Sequence, residues 1–153
     1  MSGPEESPDR RLARNVNELL QEIRVAQAGV QILFGFLFSV TFTDVYQKAT
    51  EFQRNVHLVA VLLAVIAVGL LTAPAAWHRV LFRQGRRETI IHVANRLALS
   101  GLGFLAATVS TTLLLLVDVV VGRWQAIVAC ALAAVVFGVL WFVLPLRVRR
   151  SDE

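Results

Sequence analysis

The sequence predicts an all-α integral membrane fold, a four-helix bundle preceded by an N-terminal amphipathic helix. Three observations carry that prediction. Hydrophobic residues make up 56% of the 153-residue chain and charged residues only 17%, whereas a soluble domain carries about 45–50% apolar and about 25% charged residues. The apolar excess, which lifts the mean hydropathy to +0.63, falls in four long runs with nearly all the charge between and beyond them. The arginines, finally, crowd onto alternate connecting segments, as they do when a chain crosses a bilayer repeatedly.

The elements follow in order. Residues 1–8 are a polar tail expected to be disordered. Ser7-Pro8-Asp9 reads as a helix start, with a serine cap, proline at the first helical position and an acid in the first turn. Over 9–24, Leu12, Val16, Leu19, Leu20 and Ile23 recur at helical spacing, opposite Arg10, Arg14, Asn17, Gln21 and Arg24. This is an amphipathic cytoplasmic helix, lying on the membrane or bending into it. An acidic and then basic start does not resemble a cleavable signal peptide, so the first apolar run is expected to act as an anchor.

That first span covers 25–43, about 19 residues and long enough to cross the hydrocarbon, although Gln27, Gln31, Ser39 and Thr41 interrupt it. An outer loop, 44–55, could place Tyr46, Ala49 and Phe52 on one side of a short interfacial helix. The second span, 56–73, is expected to stop at Pro74. A basic cytoplasmic loop, 77–96, contains an interfacial turn at Trp77, Val80 and Leu81 and a break at Gly85. The third span runs over 97–118, Gly122-Arg123 makes a tight turn, and the fourth covers 124–144. Pro145 should end it, leaving 145–153 as a cytoplasmic tail. Apolar runs of this length are too long for barrel strands of about 9–11 residues.

Orientation follows from the basic residues. Arg10, Arg11, Arg14, Arg24, Arg79, Arg83, Arg86, Arg87, Arg96, Arg147, Arg149 and Arg150 fall on one side, and only Lys48, Arg54 and Arg123 on the other. The excess places both termini in the cytoplasm, in a multi-pass protein of the inner (plasma) membrane. Trp77 and Trp124 suit the inner and outer interfaces. Because the basic residues border apolar runs instead of forming a separate domain, nucleic acid is not an expected partner. Arg79, Arg83, Arg86 and Arg87 are candidates for contacts with anionic lipid or a cytoplasmic partner.

Association of helices in lipid depends on small residues that let backbones approach. The expected packing faces are Gln27, Gln31, Gly35 and Ser39 in the first span, Ser100, Gly103 and Ala107 (continued by Ser110 and Thr111) in the third, and Ala126, Cys130, Ala134 and Gly138 in the fourth. These faces would meet within the bundle or across an oligomer interface.

The residues that could carry chemistry are few. Asp118, at the outer end of the third span, is a candidate ion or proton site; the competing reading pairs it with Arg123 across the turn. Glu18 and Glu22 are neighbours on a helix and could join His78 or His92 at a metal, although balancing arginines account for them better. A Glu18 or Glu22 anchor onto the basic loop is a further option. His57, His78 and His92 lie at or outside the membrane edges with no serine or cysteine nucleophile paired to them. Cys130, the one cysteine, can form no internal disulfide, and Gly101-Leu102-Gly103 is too short for a phosphate loop. No enzyme, metal or cofactor is expected.

Three stretches together resemble a family of small, uncharacterised four-span membrane proteins of actinobacteria. They are Asn17-Glu18-Leu19-Leu20-Gln21-Glu22-Ile23-Arg24-Val25-Ala26-Gln27 with Gly29-Val30-Gln31, then Trp77-His78-Arg79 with Phe82-Arg83-Gln84-Gly85-Arg86, and Ala94-Asn95-Arg96-Leu97-Ala98. The likeness covers roughly residues 14–121. It implies a domain of unknown function, some members of which carry an automatic sodium/proton antiporter label. The residues themselves point to a non-enzymatic membrane component acting through helix packing and a basic cytoplasmic face, as a homo-oligomer or with a membrane partner. The alternative is a small oligomeric ion or proton transporter.

Overall fold

A computed structural model describes residues 8–81 and 87–151. The described residues form helices and short turns without a strand. Helix α1 spans Pro8–Val40 in a single 33-residue run, so the amphipathic segment and the first span are one rod. No proline lies between its ends, and its two glycines only weaken a helix. At about 1.5 Å per residue the rod is about 50 Å long, against about 30 Å of hydrocarbon. Among its described side chains Ile23, Val30 and Leu37, seven residues apart, are buried, with Ala26, Leu33 and Phe34 packed beside them. That spacing is the seam of a helix pair packed in coiled-coil fashion.

Local side chains shape the connection to the next span. Thr43 caps the four-residue helix α2, Asp44–Gln47, by accepting from the Tyr46 N–H at 3.3 Å. Thr50 then opens α3, Glu51–Leu81. Its N–H donates to Gln53 Oε1 at 3.0 Å, and its hydroxyl accepts from the Gln53 N–H at 3.3 Å, a reciprocal capping box. The expected interfacial helix is therefore absent as one unit. Tyr46 belongs to α2, Phe52 to α3, and Ala49 to the link between them.

Pro74 does not stop α3, which continues through it to Leu81. Proline removes the N–H that would reach Leu70 O and opens that turn. The carbonyl of the next residue, Leu71 O, accepts from Gln27 Nε2 on α1, at 2.7 Å. A side chain from the adjacent helix thus supplies a donor where the backbone ladder is weakest, and Pro74 itself is buried. Helix α4 runs over Arg87–Val120, starting well before the expected third span. Gly122, at φ 137°, makes the turn to α5, Arg123–Gly138; an L side chain is strained there.

The fourth span also passes its expected stop. Helix α5 leads into a π turn over Val139–Val143 and then α6, Leu144–Ser151. The Leu144 N–H bonds Val139 O, five residues back. This wider turn immediately precedes Pro145, which has no N–H to offer the turn before it.

Packing follows chain order: α1 lies on α3, α3 on α4 along its length, and α4 on α5, with a marginal α1–α4 contact. Ala60, Ala64 and Ala67 of α3 are fully buried and form the core with Leu71, Val30, Leu37 and Ala98. Four segments are long and apolar enough to cross a membrane: Gln21–Val40, Glu51–Trp77, Val93–Val120 and Arg123–Arg147. Large apolar side chains such as Ile32, Leu62, Leu132 and Val135 are exposed on their outer faces, as lipid contact requires. This is a multi-pass membrane protein.

Candidate functional site

A cluster of interacting polar side chains lies at the end formed by α2 and the α4–α5 turn. Asp118 is almost enclosed, its side chain 4% exposed. Arg123 Nε donates to its Oδ1 at 2.5 Å, and Gln53 Nε2 donates to its Oδ2 at 2.9 Å. The Arg123 guanidinium also lies over the Phe52 ring, 3.4 Å from its centroid, where the ring face attracts a cation. Gln53 therefore serves both sides of one junction: its carbonyl closes the α3 cap and its amide holds the end of α4. Of the two readings of Asp118, the geometry places it in the pair with Arg123.

One turn deeper, His57 is 3% exposed. Its Nε2 lies 3.3 Å from the Thr41 hydroxyl, and its ring meets Tyr46 edge-on with centroids 5.0 Å apart. Nδ1 is buried without a hydrogen-bond partner. Sequence reasoning put this histidine at a membrane edge. The missed signal is the series Gln53, His57, Ala60, Ala64, which places it on the buried stripe of α3.

At the opposite end, a 130 Å³ cavity is bordered by Glu22, Ile23 and Ala26 of α1, Leu71 of α3, and Asn95, Ala98, Leu99 and Leu102 of α4. Glu18 pairs with Arg14 at 3.7 Å, with both side chains well exposed; the side chains of most of the basic loop, to which Glu18 or Glu22 was expected to anchor, lie outside the described residues. Among the described residues no three metal-binding side chains meet. Arg83 and Arg86 lie outside the described residues, as do the side chains of Arg79, Arg87, His78 and His92.

The expected packing faces are placed unevenly. In α1, Gln27 is half-buried and bonded to α3, whereas Gln31, Gly35 and Ser39 are exposed, and no atom lies within 4 Å of a Cβ built on Gly35. Within one chain the packing face is instead Ile23, Val30 and Leu37. In α4, Ser100 is exposed and Ala107 half-buried, while Gly103 looks toward Phe142 of the π turn, 3.6 Å from a built Cβ. The close approach was missed: a Cβ on Gly101 would come within 2.8 Å of Leu71. In α5, Ala126 is buried, Cys130 and Gly138 are half-buried and Ala134 is exposed.

Hydroxyl side chains also recur along the middle of α4. The hydroxyls of Thr108, Ser110, Thr111 and Thr112 each donate to the carbonyl four residues back at 2.8 Å. Each is satisfied within its own helix.

Residues 5–145 match the model of a family of unknown function, DUF6328. The chain belongs to that family. The DUF6328 match takes in α1 to α5, the π turn, the enclosed Asp118 junction and the Gln27–Leu71 bond. Neither a curated protein nor a solved structure matches the chain.

Proposed function

We propose that this DUF6328 protein is a non-enzymatic membrane component acting through helix packing, as a homo-oligomer or as the accessory subunit of another membrane protein. In this reading both termini and the arginine-rich segment around Arg79, Arg83, Arg86 and Arg87 face the cytoplasm.

The observation that carries it is Gln31. This residue sits in the middle of the Gln21–Val40 span, exposed and without a hydrogen bond among the described residues. An amide left unbonded in hydrocarbon costs about 2–7 kcal/mol. The neighbouring exposed Gly35 and Ser39 leave room for a second backbone, and polar side chains join helices in membranes by about 0.6–2 kcal/mol per bond. An amide both donates and accepts, so another Gln31 satisfies it as well as a foreign partner does.

The test is purification in a mild detergent, with mass determination and identification of co-purifying proteins. The expected species is a homo-oligomer or a complex with a membrane protein, weakened about tenfold by Gln31→Leu, the loss of one such bond. A monomer carrying lipid alone would refute the reading.

A transporter is the competing reading, and the enclosed carboxylate of Asp118 is what favours it. Both its oxygens are engaged by neutral or cationic donors within the chain, which suits a structural tie better than an exchanging ion. Proton- or sodium-driven flux in proteoliposomes, abolished by Asp118→Asn, would reverse that preference.

A further inference from the structure

Beside the Asp118 junction a groove of about 260 Å³ opens between the end of α1, the 44–49 segment and the end of α4. Its walls are apolar side chains, Val40, Val45, Leu115 and Val119. Leu115 lies one helical turn deeper than Val119, so the groove runs about 5–6 Å down α4 from the end of the span. Val45 and Val119 are 67% and 53% exposed, which leaves the groove open at its side.

Three polar residues border it: Gln53, Tyr46 and Lys48. The Gln53 amide is already engaged on both sides, with Thr50 and Asp118. The Tyr46 hydroxyl and the Lys48 ammonium make no hydrogen bond or ion pair among the described residues. Lys48 is the one lysine of the chain. Asp44 and Glu51 lie close to it in sequence, yet neither forms a salt bridge with it. Two unengaged donors thus stand at the polar end of an apolar slot, at the level where hydrocarbon gives way to headgroups.

We infer that this groove binds a glycerophospholipid of the adjoining leaflet, with an acyl chain against Val40, Leu115 and Val119 and the phosphodiester on Lys48 and Tyr46. The order of chemistry along the groove, donors at the loop and methyl groups toward the bilayer, is that of a phospholipid and not of a soluble anion.

Native mass spectrometry of detergent-purified protein titrated with phosphatidylglycerol tests this. The wild type is expected to retain one lipid, with retention falling about tenfold in Lys48→Met, as loss of a charge-assisted bond implies. Tyr46→Phe keeps the ring contact with His57 and removes only the hydroxyl; it should show a smaller loss at an unchanged melting temperature. Leu115→Trp, which fills the slot, should abolish retention, and inorganic phosphate should not displace the lipid. Equal retention by the wild type, Lys48→Met and Leu115→Trp would overturn the inference. So would loss in Leu115→Trp alone, which would leave a slot for apolar tails without a phosphate site, or displacement by inorganic phosphate.

Discussion

At the residue scale, the Asp118 junction shows how much one side chain can connect. Gln53 accepts from Thr50 through its carbonyl oxygen and donates to Asp118 through its amide. Gln53→Glu keeps the cap, since a carboxylate accepts from the Thr50 N–H equally well, but it turns the other bond into a meeting of two carboxylates. One guanidinium, half-exposed on Arg123, cannot compensate both. The expected loss is about 1–3 kcal/mol, the cost of leaving a buried polar group unsatisfied, read as a lower melting temperature in detergent. Gln53→Met, which removes both bonds without adding charge, should cost less; if it costs more, the like-charge argument is wrong. The Asp118–Arg123 pair was legible in the sequence because five residues and a glycine turn separate its members. Gln53 was not, because it comes from sixty-five residues away and nothing local announces which acid it meets.

At the element scale, hydropathy located the spans but could not set their ends. The two proline stops failed for one reason. Proline deletes a single N–H, which a long helix can lose without ending: α3 runs on through Pro74, with Gln27 bonding the adjacent Leu71 O, and a π turn precedes Pro145. The missed start of α3 was within reach, since Thr50-x-x-Gln53 is a capping-box pattern. The packing faces were harder, because every apolar span carries several stripes of small residues and only the neighbour decides among them. In α4 the deciding contact is Gly101 against the fully buried Leu71. Gly101→Val should separate α3 from α4 and cost about 1–3 kcal/mol, as overpacking of a filled core does. Gly103→Ala adds a methyl at ordinary contact distance from Phe142 and should be tolerated. Chemical unfolding of the two variants would rank them, and equal stability would contradict the close approach at Gly101.

At the scale of the whole molecule, four helices long and apolar enough to cross a membrane would return the chain to the side on which it began. The questions of topology are then whether each span crosses and which side holds the termini. By the sequence, twelve arginines fall in segments expected at the end bearing the termini, and Lys48, Arg54 and Arg123 in segments expected at the other. The structure adds that Arg123 is tied to Asp118 and lies over Phe52, so even this small opposing group is partly committed to the fold. Arginine crosses a membrane reluctantly during insertion, and inverting this protein would require moving the larger group. In a Cys130→Ser background, single cysteines at Val45 and Val121, both well exposed, should therefore react with an impermeant maleimide on intact cells. Cysteines at Arg14 and Arg147, at the opposite end of the bundle, should react only after permeabilisation. The reverse pattern would mean that the charge excess does not set the orientation. Labelling of Val45 and Arg14 from the same side would mean that α1, the most polar of the four spans, does not cross at all.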